Sequence, residues 1–159
     1  MTAILRIAAP LLCLLGLAAC QDLPTAAPAI DEATRSTVAI GELTLELNRY
    51  RASVGCGELT WDDGAAHVAQ GHSDDMVIRN FFSHVNPDGK SPFDRLRDAR
   101  IDYRIAGENI AKGYSTGHTV LDAWLASPSH RANIEDCRYT QHGVGLDHDR
   151  WTQVFVTPA

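Results

Sequence analysis

Glu108 sits in IAGENIAKGY, residues 105–114, a stretch that is otherwise small and mostly apolar. A carboxylate buried in such a segment is costly unless a partner pairs with it or hydrogen-bonds to it. Two histidines stand out as partners by context. His84 follows two phenylalanines in FFSH and precedes a turn sequence; His130 lies in SPSHRANI, just after Pro128. Two neutral imidazoles and one carboxylate form a donor set for zinc or another divalent ion, with positions left for water or a ligand. An acid beside a metal-bound water can also act as a general base. Spacing alone does not decide the matter. The chain has seven histidines, some of which will meet an acid by chance, and residues 84, 108 and 130 make no H-E-x-x-H motif.

Other constellations are weaker. His72 falls on an apolar helical stripe and reads as a core or rim histidine. His67, His118, His142 and His148 read as exposed or strand-face residues, and Trp61, Trp124 and Trp151 as core. HVNPDG superficially suggests a calcium loop, but His84 would stand where an Asp is needed and Arg95 where the bidentate Glu is needed. Ser127 and Ser129 lie near His130 without a G-x-S-x-G elbow. No glycine-rich phosphate loop is present.

The elements that must position these residues follow from periodicity. Ile40, Leu43, Leu47, Tyr50 and Val54 share one helical face, with Gly55 as a stop. Ala65, Ala69, His72 and Met76 share another, with Asp62 or Asp63 able to cap it. A turn is expected at Asn86–Gly89, then a short helix capped by Ser91 with Pro92 at its first position. The Glu108 segment is ambiguous between strand and irregular chain. A helix follows through Val120, Leu121 and Trp124; Pro128 breaks it, and SHRANI gives one more turn. Two alternating segments meeting at Asp149–Arg150 read as a hairpin. The fold class is α+β, with helices packed on a small, mainly antiparallel sheet.

The N-terminus carries a different signal. MTAILR holds one positive charge, and the apolar run after it is too short to span a bilayer but fits a signal sequence. The run ends in LAAC, which resembles a bacterial lipoprotein box with Cys20 as the lipidated residue; an ordinary secretory signal is the alternative. Residues 1–19 are therefore expected to be a lipoprotein signal peptide, 20–38 a lipidated tether rich in Ala, Pro and Thr, and 39–159 the domain. Gln21 after the cysteine resembles the outer-membrane default, which places the domain at the bacterial cell envelope, facing the periplasm or exported. With Cys13 removed and Cys20 modified, Cys56 and Cys137 remain. In an exported chain they read as one disulfide, worth at most about 4.5 kcal/mol for so long a loop. The net charge of −6 argues against a nucleic-acid partner.

Several segments, in order, match a known family: FFSHVNPDGKSPFDRL, AGENIAKGY, VLDAWLASPSHRANI, YTQHGVGL and WTQVF. They resemble the bacterial, SCP-like extracellular branch of the CAP superfamily, which includes cysteine-rich secretory proteins, antigen 5 and plant pathogenesis-related proteins. The resemblance covers roughly residues 40–157. It implies an α-β-α sandwich and a cleft lined by two histidines and two acids. His84, Glu108 and His130 match three of the four positions. The second acid's place is taken by Ser127, which weakens any mechanism needing two carboxylates. The resemblance also implies that the histidine pair can hold a divalent ion such as zinc; in the His–Glu–His constellation Glu108 would then be the catalytic base. Asn109 and Asn133 are expected to support the cleft through amide hydrogen bonds, and Gly107 to allow close approach beside Glu108. The expected function is a membrane-tethered module binding a lipid, a cell-wall fragment or another envelope protein. A zinc-dependent hydrolase or peptidase using the same cleft, and a structural envelope protein, are the alternatives.

Overall fold

The computed structural model describes residues 31–159. The expected signal peptide, Cys20 and the first part of the tether lie outside the described residues. The elements in chain order are α1 (Glu32–Ser53), β1 (Thr60–Trp61), α2 (Asp63–Ile78), α3 (Pro92–Asp98), β2 (Tyr103–Lys112), α4 (Gly117–Ala126), α5 (Pro128–Ile134), β3 (Gln141–Asp147) and β4 (Arg150–Pro158). The strands form one sheet in the order β1-β3-β4-β2. β2, β3 and β4 pair antiparallel, while β1 runs parallel to β3. The Glu108 segment is thus a ten-residue edge strand.

Alternation along the strands splits the core into two layers. On one face, Leu43 and Leu47 of α1 and Val120, Leu121 and Trp124 of α4 pack with Ala111, Val144, Trp151 and Phe155. On the other, Ala65, Val68 and Ala69 of α2 and Leu96 of α3 pack on Val154 and Val156. Helices therefore cover both faces, giving an α-β-α sandwich. Gly143 and Gly145 let α2 lie against β3. A Cβ at Gly143 would stand 2.0 Å from the Ala66 nitrogen, and one at Gly145 would stand 2.3 Å from the Gln70 Cα.

Side chains cover the edge of β2 and the part of β3 that lies beyond its two pairs with β1. Gln70 exchanges two hydrogen bonds with the Leu146 backbone on β3. Asn133 and Trp124 donate to the Glu108 and Ile110 carbonyls on β2. This capping satisfies backbone groups that would otherwise template another strand.

Several details differ from the sequence reading. α1 begins at Glu32, inside the stretch read as tether, because Asp31 caps it by accepting from the Thr34 N–H. Its opening turns bury almost nothing before Ala39, so they carry no apolar period. β1 was not anticipated; two residues offer no alternation to read. The hairpin turn is His148–Asp149, since Arg150 pairs with Asp147, and His148 adopts a φ of 52°. Trp61 is 43% exposed, with its Nε1 donating to Asp63, so it is not a core residue. His142 is fully buried on its strand face.

The Cys56–Cys137 disulfide is formed and joins the end of α1 to the segment after α5. Arg51, fully buried, works beside it. Its guanidinium donates to the carbonyls of Gly57, Ile134, Asp136 and Tyr139.

Candidate functional site

β2 places Glu108 at the sheet edge with its side chain toward α2 and α3, while Gly107 and Asn109 face α4 and α5. The Glu108 side chain is only 2% exposed, and both carboxylate oxygens are engaged. His84 Nδ1 lies 2.8 Å from Oε1, and Arg95 Nη2 donates to Oε2 at 2.6 Å. Because the carboxylate accepts, His84 carries its proton on Nδ1. Its Nε2 points away from that bond, and the ring is about half exposed.

Arg95 does more than pair with Glu108. Its Nη1 donates to the His84 carbonyl at 2.9 Å and to the Lys90 carbonyl at 3.1 Å. One planar guanidinium thus ties the main chain bearing His84 to the acid that orients the His84 ring, a task suited to the fork geometry of arginine. Arg95 comes from α3, whose start is set by a capping box between Ser91 and Asp94 and by Pro92 in the first turn. The sequence reading missed it as a site residue. A buried carboxylate asks for a cation, but the pattern SPFDRLRDAR offers Arg95, Arg97 and Arg100, and only the turn of α3 selects the first.

The loop between α2 and α3 is fastened at further points. Asp75 accepts from Asn86 Nδ2 and from Arg79, which also pairs with Asp88. His72 Nε2 lies 2.9 Å from the Ser83 carbonyl.

His130 stands across the sheet edge, on α5. Asn109 Nδ2 donates to the His130 carbonyl at 3.2 Å. Asn133 Nδ2 donates to Asn109 Oδ1 at 2.8 Å and to the Glu108 carbonyl at 3.2 Å. The two amides therefore join the strand bearing Glu108 to the helix bearing His130. Gly107 leaves room for this packing: a Cβ there would lie 2.4 Å from the Tyr139 hydroxyl, and Tyr139 is held by stacking on Phe155 at 5.2 Å. Burial pushes the His130 imidazole below its ordinary value, and the nearby His84 acts in the same direction. His130 is accordingly neutral at pH 7 and free to act as a donor to a ligand or ion.

Ser127, at the missing-acid position, ends α4 and lines a cleft of about 530 Å³ with His130, Phe82, Ile110, Tyr114 and Trp124. The cleft is mostly apolar, with His130 at one wall. A second groove, about 540 Å³, runs along the outer side of α1 past Ile40, Leu45 and Trp61, and no histidine lines it.

These contacts bear on which ions the site suits. Among the described residues, no group of three or more His, Cys, Asp and Glu side chains is arranged to hold a metal ion. Both Glu108 oxygens are engaged, one by His84 and one by the Arg95 guanidinium. His84 Nε2 and the His130 ring are the atoms that would hold an ion, with the Glu108 carboxylate behind His84.

A model of the Cysteine-rich secretory protein family, CAP, matches residues 45–157, and the chain belongs to that family. Among curated proteins of Bacillus subtilis (strain 168), the uncharacterized protein YkwD is 38% identical over 87% of this chain and 58% of its own length. The uncharacterized membrane protein YlbC is 42% identical over 69% of this chain and 32% of its own length. The chain thus spans less than two thirds of either relative. Among solved structures, an extracellular protein containing an SCP domain from Bacillus anthracis str. Ames has a TM-score of 0.76 and 32% identity, covering 82% of this chain and 45% of that one. An outer surface protein from Borrelia burgdorferi has a TM-score of 0.71 at 21% identity, covering 82% of this chain and 97% of that one, a likeness of fold.

Proposed function

We propose that this CAP domain is a ligand-binding module of the bacterial envelope, with the cleft walled by His130, and His84 near that ring, as its site. The observation that carries this reading is the double engagement of Glu108 by His84 and Arg95. It leaves a neutral imidazole, a half-exposed imidazole and an apolar floor, but no uncommitted acid and no activated nucleophile. Such a surface suits a ligand with an apolar body and a polar or metal-bridged end: a lipid, a cell-wall fragment or a segment of an envelope protein. His84 and His130 are the residues that would hold a divalent ion such as zinc, which would there polarise a ligand oxygen.

The proposal includes display from the membrane through a lipid on Cys20. It is supported by the LAAC motif and by relatives described as a membrane protein and an extracellular protein. Intact mass after membrane extraction tests the anchor: an acylated N-terminal Cys20 is expected, and a freely secreted, unmodified chain would refute it.

Zinc-dependent hydrolysis is the second reading, favoured by the carboxylate-backed histidine. The two part on turnover. Zinc-supplemented protein should not hydrolyse a panel of peptides, esters and wall fragments above the buffer rate. A robust rate that disappears in Glu108→Gln would replace the binding reading with the hydrolase.

A further inference from the structure

We infer that His72, on the core stripe of α2, is the positioning residue that holds the His84 arm in register with Glu108. This rests on the reading of His84 and Glu108 as the site and adds the device that aims them.

His72 is fully buried. Its Nε2 lies 2.9 Å from the Ser83 carbonyl, one residue before His84. A carbonyl only accepts, so Nε2 carries the proton and donates, which fixes the tautomer. Nδ1 is then a buried acceptor with no protein partner. Arg95 leaves a buried donor of the opposite kind, since its Nε also has no protein partner. Glu108, Arg95 and Asp75 are all close enough to act on the charge of His72, and burial keeps its imidazole below the ordinary value. The next ring along the loop belongs to the arm as well: Phe81 lies 5.8 Å from His72, with the Arg79 guanidinium 5.7 Å from the Phe81 ring centre.

The geometry divides the labour. Arg95 grips the His84 carbonyl and the Glu108 carboxylate. His72 grips the preceding carbonyl from the interior. Two successive peptide carbonyls, at Ser83 and His84, are thereby held from two helices. That fixes the direction in which the His84 side chain leaves the backbone. A leucine at position 72 would fill the same core space and lose only the polar grip; a glutamine could return a donor to the Ser83 carbonyl.

The test is nuclear magnetic resonance on the ¹⁵N-labelled full chain, reading the His84 Nδ1 proton that bridges to Glu108. His72→Leu should speed exchange of this proton with water at least tenfold while the remaining amide spectrum stays that of a folded protein. His72→Gln should restore slow exchange. An unchanged His84 proton in folded His72→Leu would overturn the assignment. If His72→Leu does not fold, the wild-type ring decides: a proton on His72 Nε2 is required, and a ring protonated on Nδ1 alone would overturn it. Failure of the binding reading looks different, because zinc or ligand would then fail to bind while the His84 proton kept its dependence on residue 72.

Discussion

The two histidines of the cleft are held by different physics. His84 rides on a loop whose anchors are polar: Arg95 on two carbonyls and a carboxylate, His72 on a third carbonyl, Asp75 on Asn86. His130 rides on a short helix whose anchors are a disulfide, the Arg51 clamp and an amide pair, set against the larger apolar cluster. The His84 arm is fastened by charge and hydrogen bonds; the His130 arm adds a covalent link and apolar packing to its own hydrogen bonds.

The largest expected effect tests the polar arm. Arg95→Leu leaves Glu108 buried without its cation, and losing one partner of a buried pair costs about 3–5 kcal/mol. Urea unfolding should show this loss, and adding Glu108→Gln should recover much of it, because no buried charge then remains. A loss below about 1 kcal/mol would mean that charge is not what holds the His84 arm.

The covalent arm comes next. Replacing Cys56 and Cys137 together by alanine should cost about 2–5 kcal/mol, toward the lower end because Arg51 still grips the carbonyls on either side of Cys137. The two arms are separable if His84 resonances stay in place in this variant. Their displacement would show that the disulfide supports both walls.

An effect of comparable size comes from acid. Burial, with some help from Arg51, pushes His142 down to about 4, against roughly 6.5 in an unfolded chain. Between these values the unfolded state binds a proton that the folded state does not, so stability falls as pH drops through the window and is fully present above it. The loss approaches about 3 kcal/mol by the lower end. His72 and His130, also lowered mainly by burial, act in the same direction. In His142→Gln the dependence of stability on pH across this window should flatten; an unchanged slope would assign the acid sensitivity elsewhere.

What was legible in the sequence divides along similar lines. The stripes through Leu43 and Leu47 and through Ala65, Ala69 and His72 were visible, because burial on one helical face leaves a period. Ser91 and Pro92 announced α3 through capping chemistry. The Cys56–Cys137 bond followed from counting cysteines in an exported chain. His84, Glu108 and His130 stood out by context, and the family resemblance named them together. Arg95 and Arg51 did not stand out. Each is a charged residue buried by long-range contacts to carbonyls or a carboxylate, and no local period marks such a residue. β1 was too short for alternation, and the first turns of α1 bury too little to betray a helix. His142 was legible as a strand residue but not as a buried one, since β3 is covered on both faces.

The role of Glu108 carries the account, and a zinc titration by calorimetry tests it most directly, using the full chain without a polyhistidine tag beside His84→Ala and Glu108→Gln. If Glu108 orients His84 from behind, wild type binds zinc in exchangeable fashion, His84→Ala abolishes binding, and Glu108→Gln weakens it by about 10–100-fold. If Glu108→Gln loses zinc as completely as His84→Ala, Glu108 is itself a ligand, and the account of an acid locked between Arg95 and His84 is contradicted.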